Sequence, residues 1–86
     1  MKRKKAAALK YDKTSLAPKI TAIGFGQIAE KIIEKANESN VPIINDEKLT
    51  NTLCSLSIND YIPSELYETV AEIIAYIYSI NDTKRE

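Results

Sequence analysis

Histidine is absent from this chain, cysteine occurs once and glycine only twice. Each shortage excludes something. Without an imidazole there is no Ser-His-Asp triad, no Cys-His pair and no histidine-ligated zinc. Cys54 has no second cysteine for an internal disulfide and no base to activate its thiol, so it reads as a small buried apolar residue. No apolar run approaches the ~18 residues that a membrane span needs. The stretch Ala6–Leu9 is too short for the core of a secretory signal, which leaves a cytoplasmic protein as the expectation.

Net charge is missing as well, but only in sum. Twelve basic and twelve acidic residues cancel, while Lys2, Arg3, Lys4, Lys5, Lys10, Lys13 and Lys19 crowd the first 19 positions with Asp12 as the lone acid among them. The rest of the chain is correspondingly acidic. A run such as Lys2–Lys5 reads as a solvated, disordered arm over residues 1–5; the sharper alternative is an adaptor arm for anionic lipid or RNA. The acidic body would repel phosphate, which argues against broad nucleic-acid binding.

What remains is ordinary for a globular chain: 86 residues, 44% hydrophobic, 28% charged. One domain, 1–86, fits this length, and it can bury only about 60–65% of its unfolded surface. AAALKYD (6–12) reads as a first strand despite alanine's low strand propensity. Turn residues in KTSLAP (13–18), closed by Pro18, lead to KITAIG (19–24). Its β-branched residues predict a second strand, with Ile20, Ala22 and Gly24 on one side and Lys19, Thr21 and Ile23 on the other. Phe25, Ile28, Ala29, Ile32, Ile33 and Ala36 then recur at helical spacing, with Glu30, Lys31, Glu34 and Lys35 outside. That helix should stop at Asn40, a residue that tolerates the left-handed conformation, ahead of Val41-Pro42.

VPIIN (41–45) predicts a third strand. Asn45 or Asp46 caps a second helix carrying Leu49, Leu53 and Leu56. After a loop over 57–65, Pro63 opens the last helix. Leu66, Val70, Ile73, Ile74 and Ile77 mark its buried face, and it should end near Ser79, with 81–86 a frayed tail. The order β-β-α-β-α-α specifies an α/β fold: a small, partly parallel three-stranded sheet with three helices, the strands flanking the first helix forming a parallel βαβ unit.

The two glycines raise one question of chemistry. Gly24-x-Gly26-x-x-Ala29 follows a strand and opens a helix, and Asn45-Asp46 arrives about twenty residues later, as in a dinucleotide-binding fingerprint. Backbone N–H groups at the helix start would face a pyrophosphate. Against this, the third glycine is alanine, three strands make half a dinucleotide fold or less, and Asp46 has a competing role as a helix cap. A small nucleotide-binding protein is therefore the alternative reading.

Taken together, AAALKYD, LAPKITAIG (16–24), VPIINDEKLTNTL (41–53) and IPSELYETVAEIIAYIY (62–78) resemble the cytoplasmic C-terminal domain of the FlhB/YscU family, the substrate-specificity switches of flagellar and type III export gates. The resemblance runs from Ala6 to Ile80; ALKYD and the IP-x-ELY-x-x-VAE-x-x-AY-x-Y pattern are its most specific parts. It implies a compact α/β domain with a small central sheet. The family also carries an Asn-Pro-Thr-His sequence before the first strand and cuts itself between Asn and Pro. Those places fall on Met1, Lys2, Arg3 and Lys4, none of which matches. The chain is expected to start about where the cleaved fragment starts, without the strand before that site and without the family's membrane helices. Ile23 stands where the family usually has lysine.

The resemblance thus implies a non-catalytic, FlhB-like export component at the cytoplasmic face of the inner membrane, standing in for the C-terminal part of a full-length relative. Its partners would be export-gate proteins and export substrates, with membrane association only indirect, no nucleic acid and no cofactor or metal. The family's hydrophobic docking patch for export substrates aligns with Ala17, Pro18, Ala71 and Ile74. The residues themselves leave two possibilities for the wide apolar arc of the last helix, Ala71, Ile74, Ala75 and Tyr78. Either it is a docking surface, or the second helix covers it through Leu49 and Leu53.

Overall fold

Two strands lead the chain and three helices follow, in a computed structural model that describes residues 3–12 and 14–84, with the backbone alone over 81–84. Strand β1 (Lys5–Lys10) pairs antiparallel with β2 (Lys19–Phe25). Helix α1 (Gln27–Glu38), helix α2 (Glu47–Cys54) and, after a 3-10 turn at Ser64–Leu66, helix α3 (Tyr67–Lys84) complete the order. The β1–β2 connection starts with a local side-chain clamp: the Asp12 carboxylate accepts from the Thr14 N–H and the Thr14 hydroxyl, both at 3.0 Å.

The register of the sheet breaks once. Ala8 faces Ala22 but Leu9 faces Ile20, so Thr21 is left over as a bulge. An extra residue reverses the side-chain alternation beyond it. Ile20 therefore shares a face with Ala7, Leu9 and Ile23 rather than with Ala22 and Gly24, correcting the simple alternation of the sequence. On that face lies the core: Ile20, Ile62, Val70, Leu53 and Ala17, each less than 5% exposed, with Leu49 and Leu56 around α2, and Leu66 and Ile74 on the approach to and along α3 packed against them.

The opposite face of the sheet carries α1, whose Ala29 is fully buried. Gly24 lets the helix come this close. A Cβ there would lie 2.6 Å from Ile28 Cγ2, 2.8 Å from Ile32 Cδ1 and 3.0 Å from the Ala29 backbone nitrogen. Phe25 belongs to β2, and Gly26, at φ 60°, ψ −125°, makes the corner into α1. At the other end the helix closes as its sequence suggests. Asn40 sits at φ 59°, its N–H reaches the Asn37 carbonyl at 3.3 Å, and the Val41 N–H reaches the Ala36 carbonyl at 2.8 Å, the paired bonds of a Schellman stop.

Beyond that stop the third strand does not form. Residues 41–46 run without secondary structure, and the sheet is two-stranded among the described residues, with no parallel βαβ unit. The far edge of β2 is instead claimed by residues 59–62, which arrive antiparallel. The Ile20 N–H donates to the Asp60 carbonyl at 2.8 Å, Asn59 N–H to the Ile20 carbonyl at 2.7 Å, and Ile62 N–H to the Pro18 carbonyl at 3.0 Å. β-Branched composition makes VPII ready to pair, but pairing needs a neighbour within hydrogen-bonding distance, and α1 delivers this segment away from β2.

The described residues near each end are also more regular than expected. Lys5 opens β1, and the Lys4 carbonyl accepts the Gly26 N–H at 2.7 Å, so the arm expected over 1–5 does not reach past Arg3; Met1 and Lys2 lie outside the described residues. α3 continues past Ser79 to Lys84, and the remainder of the expected tail lies outside the described residues. The Asp46 carboxylate caps α2 by accepting the Leu49 N–H at 3.1 Å. No helix is long and apolar enough to cross a membrane, among the described residues.

Candidate functional site

Ala17 and Pro18 end the β1–β2 connection; Ala71 and Ile74 lie on the early turns of α3. Two features bring these segments together. The Pro18 carbonyl holds the Ile62 N–H at 3.0 Å, which ties the connection to the stretch leading into α3. Val70, 2% exposed, then anchors α3 on the same cluster that contains Ala17 and Ile74. The four positions do not share one surface, however. Ala17 is only 3% exposed and Pro18 is buried as well, so they form a floor rather than a ledge. Ala71 is exposed and Ile74 half-buried against the core.

Of the apolar arc of α3, Ala71, Ala75 and Tyr78 are exposed, whereas Ile74 packs against the core cluster that also takes Leu49 and Leu53 of α2. α3 also packs in a different phase from the sequence expectation. Leu66, Val70 and Ile74 are the positions that reach the core cluster, whereas Ile73 and Ile77 are half-buried outside it. One residue escaped sequence reasoning: Leu16, next to Ala17, is 92% exposed. The sequence carries no signal for it, because the burial of Ala17 and Pro18 and the exposure of Leu16 are set by the tertiary cluster. Glu65, Glu68 and Glu72 give the start of α3 an acidic, exposed border. Tyr61, half exposed, lies under the Lys19 ammonium at 5.1 Å.

The glycine turn is tied into the sheet and α1. The Gly26 N–H is spent on the Lys4 carbonyl, Gly24 is buried under α1, and the Asp46 carboxylate is engaged with Leu49. Ile23, in place of the family lysine, packs against the core. Cys54 is half-buried with its Sγ 3.7 Å from the Ala6 carbonyl, and burial pushes its thiol up, away from the reactive thiolate. Among the described residues no group of acidic and cysteine side chains is arranged to hold a metal ion.

Residues 4–77 match the model of the FlhB HrpN YscU SpaS family, and the chain belongs to that family. It is 42% identical over 81 residues to YlqH of Bacillus subtilis (strain 168), covering 93% of this chain and 87% of that protein. It is 40% identical over 83 residues to the flagellar biosynthetic protein FlhB of Buchnera aphidicola (subsp. Acyrthosiphon pisum), covering 94% of this chain but only 22% of the relative, about a fifth of its length. The fold matches the crystal structure of the PscU C-terminal domain with a TM-score of 0.80 at 21% identity, over 85% of this chain and 95% of that one. A tyrosine-to-aspartate mutant of the EscU C-terminal domain gives the same TM-score at 27% identity, over 84% and 89% of the two chains.

Proposed function

We propose that this chain is a non-catalytic, FlhB-like component of flagellar or type III protein export, acting at the cytoplasmic face of the export apparatus in place of the C-terminal part of a full-length relative. Family membership supports the export setting. The absence of histidine, the spent glycine turn and the subdued Cys54 thiol support a binding role over catalysis. The observation that carries the reading is the run of exposed apolar positions at Ala71, Ala75 and Tyr78, next to Ile74 on the cluster that holds Ala17 and bordered by glutamates. An apolar patch of this kind suits a short apolar segment of an export substrate. Ile74 sets its specificity for apolar side chains.

Ala71→Asp is the cleaner test, because Ala71 is exposed and a carboxylate there leaves the core alone. Desolvating that carboxylate against an apolar ligand should weaken binding to a hook- or rod-type export substrate by about tenfold or more, with the melting curve unchanged. Ile74→Asp should weaken binding too, but at a cost in stability, since Ile74 packs on the core. If Ala71→Asp folds and binds as the wild type does, the patch is not the docking surface.

A further inference from the structure

Val41, Ile43 and Ile44 form an aliphatic run that is 53%, 39% and 38% exposed. Among the described residues no backbone–backbone hydrogen bond reaches Ile43, Ile44 or Asn45. A segment with a strand's composition is thus left without a partner. Across from it, β1 is also half-satisfied. Among the described residues it pairs with β2 alone, and the bond from Gly26 N–H to the Lys4 carbonyl sets the alternation, so Lys5 and Ala7 turn their N–H and C=O groups away from β2. Two hollows open between these segments. One, about 520 Å³, lies among Arg3, Lys4, Lys5, Asn45 and Asp46. The other, about 360 Å³, lies among Ala8, Ala22, Ile28, Ile32 and Val41. The segment 41–46 therefore runs from beside Ala8 to beside Lys5, opposite in direction to β1, with space along its course.

We propose that this gap is a strand-acceptor slot, filled by an extended segment of another protein that is apolar at alternate positions and acidic at the end meeting Arg3, Lys4 and Lys5. Such a strand would take up the outward peptide groups of β1 and cover the aliphatic side chains of 41–44, the usual division in strand addition between backbone affinity and side-chain specificity. Charge selects the occupant. Arg3, Lys4 and Lys5 crowd one hollow, where the Asp46 carboxylate is already engaged by Leu49 and the Lys5 ammonium sits on Asn51 at 2.8 Å. Glu47 also lines that hollow, and Lys31 and Lys35 border the other. A second copy of this chain is a poor occupant. Antiparallel pairing of two β1 edges through their outward residues, centred on Ala7, sets Lys4 opposite Lys10, like charge on like charge, which is how edge strands avoid self-association. The inference rests on the sheet and not on the α3 docking surface.

The probe is a synthetic peptide as long as β1, alternating valine and threonine, with glutamates at its C-terminal end for antiparallel pairing with β1; a lysine-ended twin is the control. Added to the full chain labelled for NMR, the acidic peptide should slow amide exchange at Lys5, Ala7 and Ile43–Asn45, and the lysine-ended twin should bind at least about tenfold more weakly. Ala7→Pro removes an outward N–H and no bond to β2, so it should keep the fold and lose the peptide about tenfold. Should that variant unfold, Lys4→Glu with Lys5→Glu replaces it, and must reverse the preference between the two peptides. No exchange protection at Ala7, binding indifferent to peptide charge, or the same amides protected by concentration-dependent dimerisation of the chain alone would each overturn the proposal.

Discussion

The two glycines are needed for different reasons, and substitution separates them. At Gly24 the backbone is ordinary but space is short, with a built Cβ 2.6 Å from Ile28 Cγ2 and 3.0 Å from a backbone nitrogen of α1. At Gly26 space is ample, the nearest atoms being Arg3 side-chain nitrogens 4.0 Å away, but φ lies at 60°. Gly24→Ala should therefore cost about 1–3 kcal/mol by pushing α1 off the sheet. Gly26→Ala should cost about 1–3 kcal/mol through backbone strain alone. Urea unfolding measures both losses. Amide shifts tell them apart: those of α1 should move as a block in the first variant, and stay in place past the first turn in the second. Equal, wide-ranging shifts in both would contradict this division.

α2 and α3 show how differently two helices of one chain are held. α2 is eight residues long, too short to stand without help, and it depends on Leu53 in the core and on the Asp46 cap. Asp46→Ala should cost about 1 kcal/mol, and Asp46→Asn much less, because asparagine keeps an oxygen for the Leu49 N–H. A chemical-denaturation pair reads the difference, and no loss in the alanine variant would show that packing alone holds α2. α3 is anchored at its start by Leu66, Val70 and Ile74, while Tyr76, Tyr78 and Ile80 beyond are 58%, 49% and 37% exposed. An 18-residue helix that is apolar well past its anchor is what the exposed apolar run of the proposed docking surface requires.

For the molecule as a whole, the basic start of the chain contributes through its backbone more than its charge. Removing residues 1–4 deletes the carbonyl that takes the Gly26 N–H, together with Arg3 over the Phe25 ring at 5.4 Å. The expected loss is about 1 kcal/mol, which lowers Tm by roughly 4–8 °C in a domain of this size. Lys4→Gln keeps the carbonyl and gives up only a solvent-exposed approach of 4.0 Å to Glu30, so its Tm should stay close to wild type. A truncated chain that melts unchanged would show that β1 needs nothing before Lys5.

Local chemistry was legible in the sequence because it is settled within a few residues. The α1 face around Ala29 and Ile32, the left-handed stop at Asn40, a cap at Asn45 or Asp46 and the Leu49–Leu53 contact face follow from spacing and side-chain type alone, and so does the absence of histidine chemistry. Tertiary structure decided what depends on distant neighbours. The bulge at Thr21 moved Ile20 to the other side of the sheet, a change that only the pairing of two strands can impose. VPII has the composition of a strand, yet residues 59–62 took the free edge of β2, and strand formation is decided by which segment arrives beside an open edge. The site divided the same way. Its four positions could be named from the sequence, but burial of Ala17 and Pro18 and exposure of Leu16 and Ala71 are set by the three-dimensional cluster that Ile62 and Val70 complete.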